Sequence, residues 1–265
     1  MQTISAVRVA KPGLGLHCAI GDAGEGTMAG IDEETLIAAV ADWQLNEVRI
    51  LEPGATTRQL IPEAWWPVAE STDPDERKHA ALDLWNEDFL ALIPHYAHAL
   101  QTALVDVRVA KHKYYSAPSL DYVLRTDEGE LRVWAGDDPR TFGDIDPPLF
   151  DAVPAPVQTF LRQVHAGYAT SDGETHGLVA PSGMVTLAAR WFQASDTNEI
   201  IEWFEDVPFP GTQRLLFLTG NGDDIALYVS PDLPPGQAIT YYEPDFEIAP
   251  FGEALDDFIT RPLDN

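Results

Sequence analysis

The sequence predicts an α+β fold in which a mainly antiparallel sheet carries helices at its ends. Strand-like runs come in consecutive pairs joined by Gly- and Asp-rich turns, and capped amphipathic helices stand between the pairs. The alternating strand–helix–strand pattern of a nucleotide-binding fold is missing.

Ala6 to Val9 alternates and reads as a strand, and a glycine-rich stretch from Gly13 to Gly30 follows. Asp32 stands where an N-cap belongs, ahead of a helical face of Leu36, Ile37 and Val40. Pro53-Gly54 and the run from Pro62 to Pro67 predict loop or irregular backbone. Asp73, Pro74 and Glu76 open a helix as cap, first residue and capping-box partner. Its apolar face runs through Ala81, Leu82, Trp85, Phe89 and Leu92, and Pro94 ends or kinks it before a further helical stretch to Thr102.

Val105 to Val109 predicts a strand, and Tyr122 to Arg125 with Glu130 to Trp134 predicts a hairpin about Asp127-Glu128-Gly129. The turn-rich run from Asp137 to Pro148 is the candidate boundary, dividing an N-terminal α+β region (1–145) from a C-terminal domain (146–265). Beyond it, Val157, Phe160, Leu161 and Val164 form a helical face, with Gly167 at the C-cap position. Leu178-Val179 and Met184 to Leu187 read as short strands about Pro181-Ser182-Gly183. Asp196 and Glu199 frame a capping box for a helix through Trp203 and Phe204. Leu215 to Leu218, Ile225 to Val229 and Ala238 to Tyr242 are strands, and Phe251, Leu255, Phe258 and Ile259 close on an amphipathic helix.

The chain has 265 residues, 45% of them apolar, with seven Trp, eight Tyr and eleven Phe, enough for a sizeable packed core. Sixteen Lys and Arg against 43 Asp and Glu leave a formal net charge of −27. Such a field repels nucleic acid and anionic lipid and attracts basic surfaces, besides keeping the chain soluble. Residues 146–265 carry only Arg162, Arg190, Arg214 and Arg261 against 19 acidic side chains, so this half is nearly of one sign. Cys18 is the only cysteine, and neither a signal-peptide pattern nor an apolar run of membrane length is present. A cytoplasmic protein with no membrane and no nucleic-acid partner is the expectation.

Motifs for catalysis fail one by one. His95 and His98 lie three apart, with His79 on the preceding helix, but no third ligand stands at zinc-motif spacing. Gly13-Leu14-Gly15 lacks its third glycine, and Gly21 to Gly26 puts Asp22 and Glu25 where a phosphate would sit. Ser182 lies outside a nucleophile elbow, and His17 and Cys18 are adjacent, so they point apart on a strand. No catalytic residue, cofactor or metal is expected. Trp191, Trp203, Tyr241 and Tyr242 instead stand among many carboxylates, as at a protein-binding face, although burial of the aromatics with solvated acids would give the same pattern.

Certain segments resemble the SMI1/KNR4 (SUKH) superfamily from about Pro147 onward. Pro154 to Val164 is similar to the family's proline followed by a helix ending in Phe-Leu. Leu215 to Leu227 is similar to its strand, glycine–acidic turn and strand, and Phe251 to Ile259 to its terminal aromatic-and-apolar helix. The family's usual Asn-Gly after the first helix is here Ala166-Gly167. The resemblance implies a SUKH-like fold in the C-terminal half and a non-enzymatic immunity protein, an antitoxin of bacterial competition that blocks a cognate toxin. A basic nuclease toxin would suit the charge. The expected partner-binding residues are Asp172, Glu174, Asp196, Glu199, Glu202, Trp203, Glu205, Asp206, Asp223, Asp224, Tyr242, Glu243 and Asp245. A regulatory or scaffold module of the same superfamily is the second expectation. An enzyme in residues 1–145, using the glycine-rich stretch with His95 or His98, is the third.

Overall fold

The Asp32 carboxylate accepts the Thr35 N–H at 2.8 Å and caps α1 (Glu33–Val40), as the sequence predicts. Leu36 and Val40 bury against the sheet, whereas Ile37 turns outward and is exposed. The computed structural model describes residues 30–40, 47–171, 176–190, 210–221, 225–242 and 245–264. The strand expected at Ala6, the glycine-rich stretch before Gly30 and the helix expected from Asp196 lie outside them.

β1 (Val48–Ile50) leads into α2 (Ala55–Leu60), and α3 (Trp66–Glu70) follows a 3-10 turn at Glu63–Trp65. The run from Pro62 to Pro67 is therefore helical rather than irregular. Pro67 sits in the first turn of α3, where no intrahelical N–H bond is lost, so the prolines start the helix instead of breaking it. α4 (Pro74–Leu82) is capped by Asp73, whose Oδ1 accepts the Asp75 N–H at 2.8 Å. Glu76 does not close the capping box; it accepts from the Ser71 hydroxyl at 2.7 Å, and Ser71 accepts the Asp73 N–H instead. The apolar face through Trp85 and Phe89 breaks into a separate short helix, α5 (Glu87–Leu90), before α6 (Pro94–Thr102) begins at Pro94.

β2 (Leu104–His112), β3 (Ser119–Arg125) and β4 (Leu131–Asp137) form a meander, with Gly129 at φ 88 in the predicted β3–β4 turn. α7 (Ala155–Gln163), β5 (Tyr168–Thr170), β6 (Gly177–Leu178) and α8 (Leu187–Arg190) come next. β7 (Leu216–Asn221), β8 (Ile225–Val229), β9 (Gln237–Tyr242), β10 (Asp245–Pro250) and α9 (Phe251–Thr260) complete the order.

The strands make a six-stranded sheet in the order β1 to β6 and a four-stranded sheet in the order β10-β9-β8-β7, with every paired neighbour antiparallel. An α+β fold with antiparallel sheets is thus what the chain adopts. β6 and β7 run side by side where the sheets meet: Val179 N–H donates to the Leu218 carbonyl at 2.9 Å, and Thr186 bridges Leu216. β4 pairs with β5, so the larger sheet takes strands from both sides of residue 145.

Alternation along β3 explains where the cores lie. Leu120, Tyr122 and Leu124 face a large core with Trp65, Trp85, Phe89, Trp134, Phe160 and the apolar face of α9. Val123 faces the other way, onto a small cluster with Leu36, Val40, Val48, Ile50 and Val133. Arg77 of α4 clamps Asp106 of β2 with both carboxylate oxygens engaged at 2.8 and 2.7 Å. That carboxylate also accepts the Ile31 and Val107 N–H groups, so the buried Asp106 charge receives four hydrogen bonds.

Gly167 does not cap α7, and its φ is not positive. A Cβ there would lie 2.8 Å from Asp137 Oδ2 and 2.9 Å from the Ala180 nitrogen. The glycine is required by close approach, and that approach places Asp137. No helix among the described residues is long and apolar enough to cross a membrane.

Candidate functional site

The β3–β4 hairpin sets Ser119 directly opposite Asp137, and β2–β3 sets Ala110 opposite Ser119. The chain leaving β2 turns through Tyr114, Tyr115 and Ser116 beside that end of the sheet, and the segment after β4 runs on through Phe142 to Pro147. Together with β5 and the residues from Leu178 to Ser182, these two loops enclose an open cavity of about 700 Å³. Its volume falls in the range of ligand and side-chain receptor sites.

The rim is apolar and exposed. Ile145 and Tyr114, at 86% and 59% exposure, are the most exposed large hydrophobic side chains among the described residues. Both line the cavity mouth. Exposed apolar groups converging on one opening are more informative than the same groups scattered.

The wall is acidic, and no Lys or Arg is among the described lining residues. Two of its carboxylates are already neutralised by neighbours. Asp138 holds the Arg140 guanidinium through hydrogen bonds of 3.0 and 2.5 Å, and Asp146 pairs with Arg162. Arg162 in turn lies over the Phe142 ring at 4.4 Å. Asp137 differs from both: its side chain makes no hydrogen bond or ion pair with any described residue. Burial raises its pKa to about 6, the nearby His112 charge opposing this and Asp121 and Asp138 adding to it. Tyr115 stacks on His112 at 4.7 Å, and its hydroxyl likewise has no hydrogen-bond partner among the described residues. Burial raises the Tyr115 phenol well above its ordinary range, and the charges of Asp137 and Asp121 add to that.

Behind the wall lies a buried polar chain. Ser119 Oγ donates to Asp121 Oδ1 at 2.7 Å, and Asp121 Oδ2 lies 2.8 Å from His112 Nε2. Burial pushes the His112 imidazole down, but the charge and hydrogen bond of Asp121, with Asp137, outweigh it and leave the pKa raised. The residue types are those of a nucleophilic triad, yet the arrangement is not one: the serine proton points at the carboxylate, and Ser119, Asp121 and His112 are all fully buried. The chain holds the cavity floor in place.

Most of the sequence-predicted interface lies outside the described residues: Asp172, Glu174, Asp196, Glu199, Glu202, Trp203, Glu205, Asp206, Asp223, Asp224 and Glu243, with Trp191. Asp172 follows directly on Ser171, which lines the cavity. Tyr242 and Asp245 flank the β9–β10 turn and do not line it. Tyr242 OH donates to Asp257 at 3.0 Å and accepts from Arg261 at 3.1 Å, which ties it to α9, whereas Asp245 is exposed. His95 is exposed, with Nδ1 2.9 Å from Asp256 Oδ2. No group of His, Cys, Asp and Glu among the described residues is placed to hold a metal ion.

Asp137, Tyr115, Tyr114 and Ile145 are the residues that sequence reading passed over. A usable signal existed: a hairpin turning at Asp127 to Gly129 that pairs Arg125 with Leu131 must bring Ser119 opposite Asp137. Comparison of the chain with protein-family models, with curated proteins and with solved structures returned no match.

Proposed function

We propose that this chain is a non-enzymatic binding protein that docks a basic partner protein, and that it serves as an immunity protein blocking a cognate toxin. The observation carrying this reading is the open cavity: acidic within, free of Lys and Arg among its described lining, and lipped by the exposed Tyr114 and Ile145. Exposed aromatic and aliphatic anchors around a desolvated charge are what a protein interface uses to concentrate its energy. The net charge of −27 adds long-range steering toward a cationic surface and repels nucleic acid.

The segments similar to the SMI1/KNR4 superfamily agree in order with the α7 helix, the β7–β8 pair and the terminal α9 helix. They supply the immunity role. Occlusion of a nuclease active site would follow from charge alone, because a nuclease that grips phosphate presents a basic cleft. The cytoplasm is where such an inhibitor would act.

Co-expression tests the reading. A toxic domain encoded immediately upstream should arrest growth alone, and growth should return when this chain is produced with it. Persistent arrest with both proteins present and soluble would overturn the immunity reading. A regulatory or scaffold role in the same superfamily would then remain.

A further inference from the structure

Resting on the partner-binding reading, we propose that the cavity beside Asp137 is the receptor for an arginine side chain presented on a protruding loop of the partner. Asp137 accepts the guanidinium, the Tyr115 oxygen takes a further N–H, and Tyr114 covers the plane.

Several independent features lead there. Asp137 is the cavity carboxylate without an Arg or Lys ion pair among the described residues, whereas Asp138 and Asp146 are already held by Arg140 and Arg162; the His112 charge near it is bonded to Asp121. The Tyr115 hydroxyl, beside it, is also unpartnered among the described residues. Both groups are partly buried and open onto the cavity, neither is hydrogen-bonded to the other or to another described residue, and partial burial disfavours the Asp137 charge. A ligand bringing several N–H donors and one positive charge engages both at once. An anion would be repelled, and a neutral apolar group would leave both groups unsatisfied.

Arginine fits better than lysine for geometric reasons. Its planar fork offers parallel donors to a carboxylate and stacks on an aromatic ring, whereas an ammonium is a compact, strongly hydrated point charge. Tyr114, exposed at the mouth, has the Lys113 ammonium 5.6 Å from its ring centroid, so the stacking uses the ring face that Lys113 leaves open. A volume of about 700 Å³ exceeds one side chain, which suits a loop tip whose neighbouring residues rest on Ile145.

The proposal can be tested without the partner, so its failure is distinguishable from failure of the immunity reading. Ethylguanidinium is titrated into the purified chain while the Asp137 side-chain carboxyl and the Tyr115 ring are followed by NMR, with ethylurea as the neutral isostere. The expected result is a saturable shift of both residues at millimolar ethylguanidinium and none with ethylurea. Asp137→Asn should weaken binding by about tenfold or more, and Tyr115→Phe by a few fold. Asp146→Asn should leave it within about twofold. Equal shifts with ethylurea, no saturable shift, or undiminished binding to Asp137→Asn would overturn the proposal. So would free L-arginine binding more than about a hundredfold tighter than ethylguanidinium, which would mark a small-molecule site instead. Growth rescue that survives Asp137→Asn would place docking elsewhere while leaving the immunity reading intact.

Discussion

Tyr122 and His165 meet through a 2.9 Å contact between the phenol oxygen and imidazole Nε2, and both side chains are fully buried. Trp85 Nε1 donates to the same phenol at 3.0 Å, which leaves the phenol proton available to His165 Nε2 when the imidazole is neutral. Burial lowers the His165 pKa to about 3, the Asp137 carbonyl beside the ring offsetting a little of this. The contact joins β3 to the turn after α7, and it makes the core sensitive to acid.

The pH dependence of stability follows from His165 and Asp137 with opposite signs. The folded pKa of His165 lies below its ordinary 6.5, so stability is present above 6.5 and is lost as pH falls toward 3. The folded pKa of Asp137 is raised from 3.8 to about 6, so its contribution is full below 3.8 and is lost as pH rises through 6. Between pH 4 and 6 the two slopes, about 1.4 kcal/mol per pH unit each, oppose one another. Asp137→Asn should therefore stabilise the chain by about 2 kcal/mol at pH 7, by almost nothing at pH 4, and expose the acid loss due to His165. Urea unfolding across that range checks this; parallel curves for the two proteins would contradict it.

Gly136→Ala should clash with the same imidazole. A Cβ at Gly136 would stand 2.5 Å from His165 ring atoms, inside a sheet that cannot move aside. A loss of about 1–3 kcal/mol is expected. In a His165→Ala background the added cost of Gly136→Ala should largely vanish, as a double-mutant cycle by denaturant unfolding would read.

Asp256 of α9 accepts the His95 and Tyr96 N–H groups, each at 2.9 Å, and so caps α6 from 160 residues away in sequence. Asp256→Ala should cost about 2 kcal/mol, since the Tyr96 N–H is left buried and unpaired. Hydrogen exchange should show the first turn of α6 losing protection before the sheet does. Equal exchange in both proteins would refute the long-range cap.

Arg77→Met should cost up to about 3–5 kcal/mol, because Asp106 loses its bidentate partner and is left with Arg108 at 3.9 Å. Adding Asp106→Asn should recover part of that loss but not all, since the Ile31 and Val107 N–H groups also depend on this carboxylate. Full recovery in thermal unfolding would show those bonds to be dispensable.

What could be read in the sequence was local. Asp32 and Asp73 cap their helices, Gly129 turns the hairpin, and the spacing of Phe251, Leu255 and Phe258 gives α9. Elements that depend on partners were not readable. β1 has only three residues and exists because β2 pairs with it, and β10, missed at Asp245 to Pro250, is held by β9. Gly167 looks like a helix stop in sequence, yet its reason is the Asp137 side chain 30 residues earlier. Asp137 itself was hidden in a turn-rich run of acids. What distinguishes it from Asp138 is the absence of an ion pair with an arginine or lysine among the described residues, a property of the folded chain.

The most direct measurement is a calorimetric titration of the purified chain with the toxin domain proposed as its partner, at low and high salt, for the unmodified protein and Asp137→Asn. Tight binding that weakens steeply with salt, and weakens a further tenfold to a hundredfold (about 1.4 to 2.7 kcal/mol) in Asp137→Asn, is the result expected. Binding that ignores salt and is equally tight in Asp137→Asn would contradict a docking cavity built on that carboxylate.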